Sequence, residues 1–141
     1  MLLSQSCQIA IKSISHIAAT DKLCVNVREL AEVTSENLHT IAKVLQKLVR
    51  ADMLKSLTGP GGGFYLTKEQ SGTTLADIVR VVDGNDTLDY CVLGLKQCRN
   101  EHPCPVHDQF AAARADVKRL LQQTKLTELA GFITAKSVFL K

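Results

Sequence analysis

Apolar residues recur at intervals of three and four along most of this chain, and the places where the interval fails divide it. In residues 4–19, Ile9, Ala10, Ile14, Ile17 and Ala18 share one helical face, and Thr20, Asp21 and Lys22 end it. Asn26, with Glu29 three positions on, reads as a capping box opening a short helix over 27–33 that buries Val27, Leu30 and Ala31. Thr34 and Ser35 break the period. Ser35 reads as the N-cap of a longer helix over about 36–51, with Leu38, Ile41, Leu45 and Leu48 on a stripe widened by Ala42 and Val49. Its outward positions are Asn37, His39, Thr40, Lys43, Lys47 and Arg50.

The pattern then changes. Lys55-Ser56-Leu57 and Phe64-Tyr65-Leu66 read as two short strands around Gly59-Pro60-Gly61-Gly62-Gly63, a run that no helix tolerates. Thr74 caps a helix over 75–83, with Asp77 in the capping-box position and Ile78, Val79 and Val82 inward, and Gly84-Asn85-Asp86 ends it. Residues 91–107 have no period and read as a loop. A long helix follows over about 105–124, with Pro105 in its first turn. Val106, Phe110, Ala113, Val117 and Leu120 have seam spacing, which Leu121 broadens. The seam fits a two-fold partner, and equally a helix packed on its own domain. Thr127 starts a last short turn that Gly131 breaks, and Val138, Phe139 and Leu140 read as a tail packed on a partner.

The expected fold is mainly α with a small β-hairpin: a winged helix-turn-helix domain plus a long C-terminal dimerisation helix. Residues 1–83 form the DNA-binding unit, 84–104 the loop, and 105–141 the dimerisation helix and tail. A chain of 141 residues suffices for one compact core. A 45% hydrophobic content argues against disorder, and 4% aromatics without Trp points to an aliphatic core. The net charge of +3 does not repel DNA, and its local distribution matters more. The opening MLLSQSCQIAIKS lacks a basic leader, no apolar run approaches the ~20 residues that span a bilayer, and the five cysteines cannot all pair. A cytoplasmic protein with reduced thiols and no membrane contact is expected.

A short helix, a tight break and a longer helix with a basic outer face is a helix-turn-helix layout, as against a plain helical hairpin with a solvated face. Ser35, Asn37, His39 and Thr40 would lie at base edges. Lys43, Lys47 and Arg50 would approach phosphates, with Gly61 and Gly62 at the wing tip. The glycine hairpin reads as a wing rather than a nucleotide loop, because no Lys-Ser or Lys-Thr follows it.

Three of the five cysteines stand in CVLGLKQCRNEHPCPVH. Cys91, Cys98 and Cys104 can ligate an iron–sulfur centre, with His107 in place of a fourth thiolate and His102 as a second nitrogen candidate. Zinc remains open, although only Cys104 and His107 have the short spacing usual for it. A thiol switch also remains open. Lys96 and Arg99 beside the thiols would depress their pKa.

From residue 1 to about 129 the chain resembles the Rrf-two family of winged-helix transcription regulators, most specifically in LTGPGGGFYL and the three-cysteine loop before the long helix. The resemblance implies a homodimer on double-stranded promoter DNA, controlled by an iron–sulfur cluster on Cys91, Cys98 and Cys104, and more a repressor than an activator. His107 stands where the IscR-like branch has its histidine ligand, which favours 2Fe–2S over the 4Fe–4S of the NsrR-like branch. The NsrR-like acidic ligand near the N-terminus is replaced by Ser6-Cys7-Gln8. Thr58 stands where relatives have Arg before the wing glycines, the gap from Cys91 to Cys98 is one residue longer than in the IscR-like branch, and Thr40-Ile41-Ala42 replaces Tyr-Leu-Glu. Paired catalytic carboxylates, a nucleophile elbow and a nucleotide loop are all missing, so no enzyme is expected. The competing class is an iron–sulfur electron carrier, which would need neither wing nor helix-turn-helix.

Overall fold

The computed structural model describes residues 2–135, 140 and 141. Six helices and one hairpin run in the order α1 (Gln5–Ala19), α2 (Val27–Thr34), α3 (Leu38–Arg50), β1 (Lys55–Leu57), β2 (Gly63–Tyr65), α4 (Leu75–Asp83), α5 (His107–Gln123) and α6 (Leu126–Thr134). A 3-10 turn, Gln70–Gly72, precedes α4. Helix α1 is the hub: α2, α3, α4, α6 and β2 all pack on it. Ile9, Ala10 and Ile14 are shut off from solvent there, in one core with Leu30, Ile41, Leu45, Leu48, Ile78 and Leu126. Each fully buried Leu or Ile contributes about 1.5–3 kcal/mol.

The two strands pair antiparallel with Ser56 opposite Phe64. Val25 adds a one-residue third strand, exchanging 2.8 Å hydrogen bonds with Phe64 in both directions. The wing is thereby stitched to the start of α2 rather than free-standing.

Four boundaries differ from the sequence reading. Ser35 is not the N-cap of the longer helix. It sits in the left-handed region at φ 57° as the C-cap of α2, and Asn37 caps α3, its side chain accepting from the N–H groups of His39 and Thr40. Glu29 completes no capping box on Asn26, because its carboxylate is taken by His16 and Lys22. The long helix begins at His107, two residues beyond Pro105. The last turn is a helix that runs through Gly131 to Thr134, and Leu126 at its start is fully buried. Val138 and Phe139 lie outside the described residues.

The loop between α5 and α6 closes on the start of α4. Leu75 N–H donates to the Thr124 carbonyl and Leu126 N–H to the Thr73 carbonyl, both at 2.9 Å. Helix α4, the cysteine loop and α5 therefore form a bracket clasped at its open end. The expected seam on α5 divides. Leu121 is buried towards α4, Phe110 and Val117 are half-buried, and Leu120 faces solvent at 61% exposure.

Candidate functional site

Two candidate sites lie on this frame, the outer face of α3 with the wing beside it, and a thiol cluster in the loop. Ser35, Asn37, His39, Lys43 and Arg50 are exposed and Thr40 is half-exposed. The Asn37 side-chain oxygen is committed to the helix cap. Lys47 does not reach out freely: its Nζ donates to the Val82 carbonyl at 2.9 Å. Set against the last turn of α4, the Lys47 ammonium meets the carbonyl end of that helix dipole, which favours a cation there. Lys47 thus ties α3 to the end of α4.

The wing tip is a turn with Gly62 N–H donating to the Gly59 carbonyl at 3.0 Å. Pro60 takes the first central position and Gly61, at φ 75°, the second, the type II arrangement. Gly62 is required by crowding: a Cβ there would lie 2.1 Å from the Leu57 carbonyl oxygen. Its N–H is used inside the turn, so it offers no donor to a phosphate. The Cys24 thiol lies 3.1 Å from the Gly61 carbonyl and steadies the tip.

The loop has no period because it is a string of tight turns, closed by hydrogen bonds from Gly94 to Cys91, Cys98 to Leu95, His102 to Arg99 and His107 to Cys104. A cysteine begins or ends three of them. The folding of turn on turn brings the sulfurs of Cys91, Cys98 and Cys104 within 4.8 Å of one another. Cys91 and Cys104 are 3.7 Å apart, and Cys98 receives the Cys104 N–H at 3.4 Å. His107 joins through Cys98, its Nδ1 3.1 Å from that sulfur. A cavity of about 30 Å³ opens between the thiols, Val106, Phe110 and Arg114. His102 contributes backbone bonds to its turn and no ring contact with the thiols among the described residues.

The electrostatics single out one thiol. Cys91 is lowered to about 7, first by the backbone N–H of Leu95, then by that of Leu93 and by the neighbouring thiols. The expected Lys96 and Arg99 cations are not the cause; backbone dipoles of the turns are. Cys98 moves up: the Cys104 N–H works to lower it, and burial with the adjacent Cys104 and Cys91 sulfurs outweighs that. Cys7, the other thiol weighed as a ligand, is 0% exposed in α1 and pushed up to about 12, first by burial and then by the Asp83 charge. It is closed off from this loop.

Contacts that sequence reading missed tie the loop to the helices. Arg114 on α5 donates to the Tyr90 carbonyl at 3.0 Å, and Lys118 pairs with Asp89. Asp83, at the end of α4, accepts from the Ser4 N–H at 2.9 Å and from its hydroxyl. These partners lie 24, 29 and 79 residues apart. No local pattern announces them.

No described helix is long and apolar enough to cross a membrane. Residues 3–131 match the Rrf2 (Rrf-two) family, described as iron-dependent transcriptional regulators. A putative HTH-type transcriptional regulator of Aquifex aeolicus is 26% identical over 131 residues, 92% of this chain and 91% of that protein. The solved structure of CymR, described as the global cysteine regulator of B. subtilis, superposes with TM-score 0.75 at 22% identity, covering 92% of this chain and 96% of that one. T. potens IscR superposes with TM-score 0.73 at 17% identity, covering 96% and 90%. With a winged helix-turn-helix, three converging thiols and a family match over almost its whole length, this chain belongs to the Rrf2 family of DNA-binding transcriptional regulators and is not an enzyme.

Proposed function

We propose that the chain is a homodimeric, cytoplasmic repressor whose hold on promoter DNA is set by an iron–sulfur cluster on Cys91, Cys98, Cys104 and His107. The observation that carries this reading is the convergence of three thiols within 4.8 Å in a loop bonded to α4 and α5. Three soft sulfur donors with one imidazole nitrogen fit such a cluster, and a nitrogen ligand suits the 2Fe–2S form. When bound, that group would supply a one-electron change and lability towards oxidants or nitric oxide.

The protein's own part is mechanical. Asp89 and Tyr90, just before Cys91, are held by Lys118 and Arg114 of α5. Rearranging the thiols pulls on α5 and on the last turn of α4, where Lys47 and Ser4 attach. Residues 1–83 are the DNA-binding unit, 84–104 the sensor and 105–141 the dimer-forming part. Ser35, Asn37, His39, Thr40, Lys43, Arg50, Gly61 and Gly62 would face DNA, with Lys47 at its edge. The exposure of Leu120 at 61% and Phe132 at 56% supports a partner on α5 and α6.

Purification without oxygen tests this. A brown protein with sulfur-to-iron absorption, altered by His107→Ala, is expected. A colourless, iron-free protein holding one tightly bound zinc ion would sink the cluster.

A further inference from the structure

One polar side chain in the loop is placed as though for the imidazole. Residues 99–102 form a two-residue hairpin closed on both sides, with Arg99 N–H donating to the His102 carbonyl at 3.3 Å and His102 N–H to the Arg99 carbonyl at 3.0 Å. Asn100 takes the first tip position. Its Oδ1 lies 3.0 Å from Nε2 of His107. The other ring nitrogen, Nδ1, faces Cys98 Sγ at 3.1 Å. An amide oxygen only accepts, so the hydrogen of this contact sits on Nε2. In the neutral ring Nδ1 then keeps its lone pair, directed at the thiol set. The opposite tautomer would aim an N–H at the sulfurs and present no donor atom to a metal.

We infer that Asn100 is the positioning residue of His107: it fixes the Nε2–H tautomer and turns the Nδ1 lone pair towards Cys98, so that the imidazole joins the three thiols as the nitrogen ligand. The inference rests on the reading of residues 91–107 as a metal centre. Metal-bound histidines generally donate their second N–H to a carbonyl or carboxylate, which sets the ring's direction. A side-chain amide does this without adding negative charge beside three thiolates. The hairpin supplies the rest: both of its closing bonds are backbone bonds, so the Asn100 side chain is free for His107. Nothing in the spacing of the cysteines requires an amide at position 100, and the contact spans seven residues.

The test uses the reduced, metal-free full chain with two variants, Asn100→Leu and Asn100→Asp, and His107→Ala as reference. Long-range nitrogen–proton NMR of the histidine rings reads the tautomer. Anaerobic titration with Co²⁺ alone reads the coordination through its d–d bands. The wild type is expected as Nε2–H. Asn100→Leu mixes the tautomers, weakens Co²⁺ binding about 10–100-fold and moves the bands towards those of His107→Ala. Asn100→Asp, an acceptor without a donor, keeps the Nε2–H tautomer and the wild-type bands. A wild-type Nδ1–H tautomer overturns the inference, as does an Asn100→Leu protein with unchanged tautomer and Co²⁺ affinity, or an Asn100→Asp protein that loses Nε2–H. A wild type that takes up no Co²⁺ overturns the metal-centre reading instead, while the tautomer still decides the Asn100–His107 lock.

Discussion

At the scale of single residues, two cysteines of one chain are made chemically opposite by their surroundings, turn N–H groups for one and burial for the other. Cys91 sits among turn N–H groups and is lowered to about 7, while Cys7 is sealed in α1 and pushed up to about 12. Because the thiolate is the nucleophile, alkylation of the reduced, metal-free protein should label Cys91 first, at a rate that climbs through about pH 7. Cys7 should react only on unfolding. Mass spectrometry of quenched samples checks this, and equal labelling of the two would refute it. Glu29 provides a second case. Its carboxyl is held below the ordinary 4.5, first by Lys22 and then by His16. A depressed carboxyl stabilises the fold above its unfolded value, and the benefit fades as pH falls through the lower folded value. Glu29→Gln should therefore cost about 0.5–1 kcal/mol at pH 7 and nothing once the wild-type carboxyl is protonated, as read by urea melts across pH. The sequence contained Cys91 and Glu29 in plain view. What it hid was the company they keep: Glu29 looked like the second half of a capping box, and its carboxylate instead pairs with Lys22 and with His16 on another helix.

Among the elements, periodicity made α1 to α5 legible to within a few residues, because each buries one face on a shared core. The errors came where two local signals compete. Ser35 and Asn37 are both good caps, and the left-handed turn at Ser35 decided between them. Gly131 looked like a stop, yet burial of Leu126 and packing on α1 and the 3-10 turn carry α6 through it. The cap and the bond to Val82 also divide the two lysines of α3. Lys43→Ala should weaken binding to every DNA sequence and reduce the salt slope by about 1, with stability unchanged within about 0.5 kcal/mol. Lys47→Met, which strands the Val82 carbonyl, should instead lower stability by about 1.5 kcal/mol or more. Denaturation and DNA titration of both proteins separate the roles, and a Lys47→Met protein as stable as wild type would show the bond to be idle.

For the molecule as a whole, the winged helix-turn-helix was readable because a glycine-rich hairpin behind a basic helix has few other uses. The cysteine motif named Cys91, Cys98, Cys104 and His107 as one set, but the turns that bring them together were not readable, since turn-by-turn folding leaves no period and the stabilising contacts are remote. The clasp between residues 73–75 and 124–126 has a consequence for how such a loop can change over time. With α4 and α5 already fastened together, their pairing does not rest on the length of chain between Cys91 and Cys104 alone. Closure of a flexible loop costs only about 0.6 kcal/mol for each doubling of its length. One added residue between Cys91 and Cys98 rearranges the two turns there and leaves the clasp intact. The cysteine segment is in that sense an exchangeable cassette, able to vary the spacing of its thiols while the ends of α4 and α5 stay clasped.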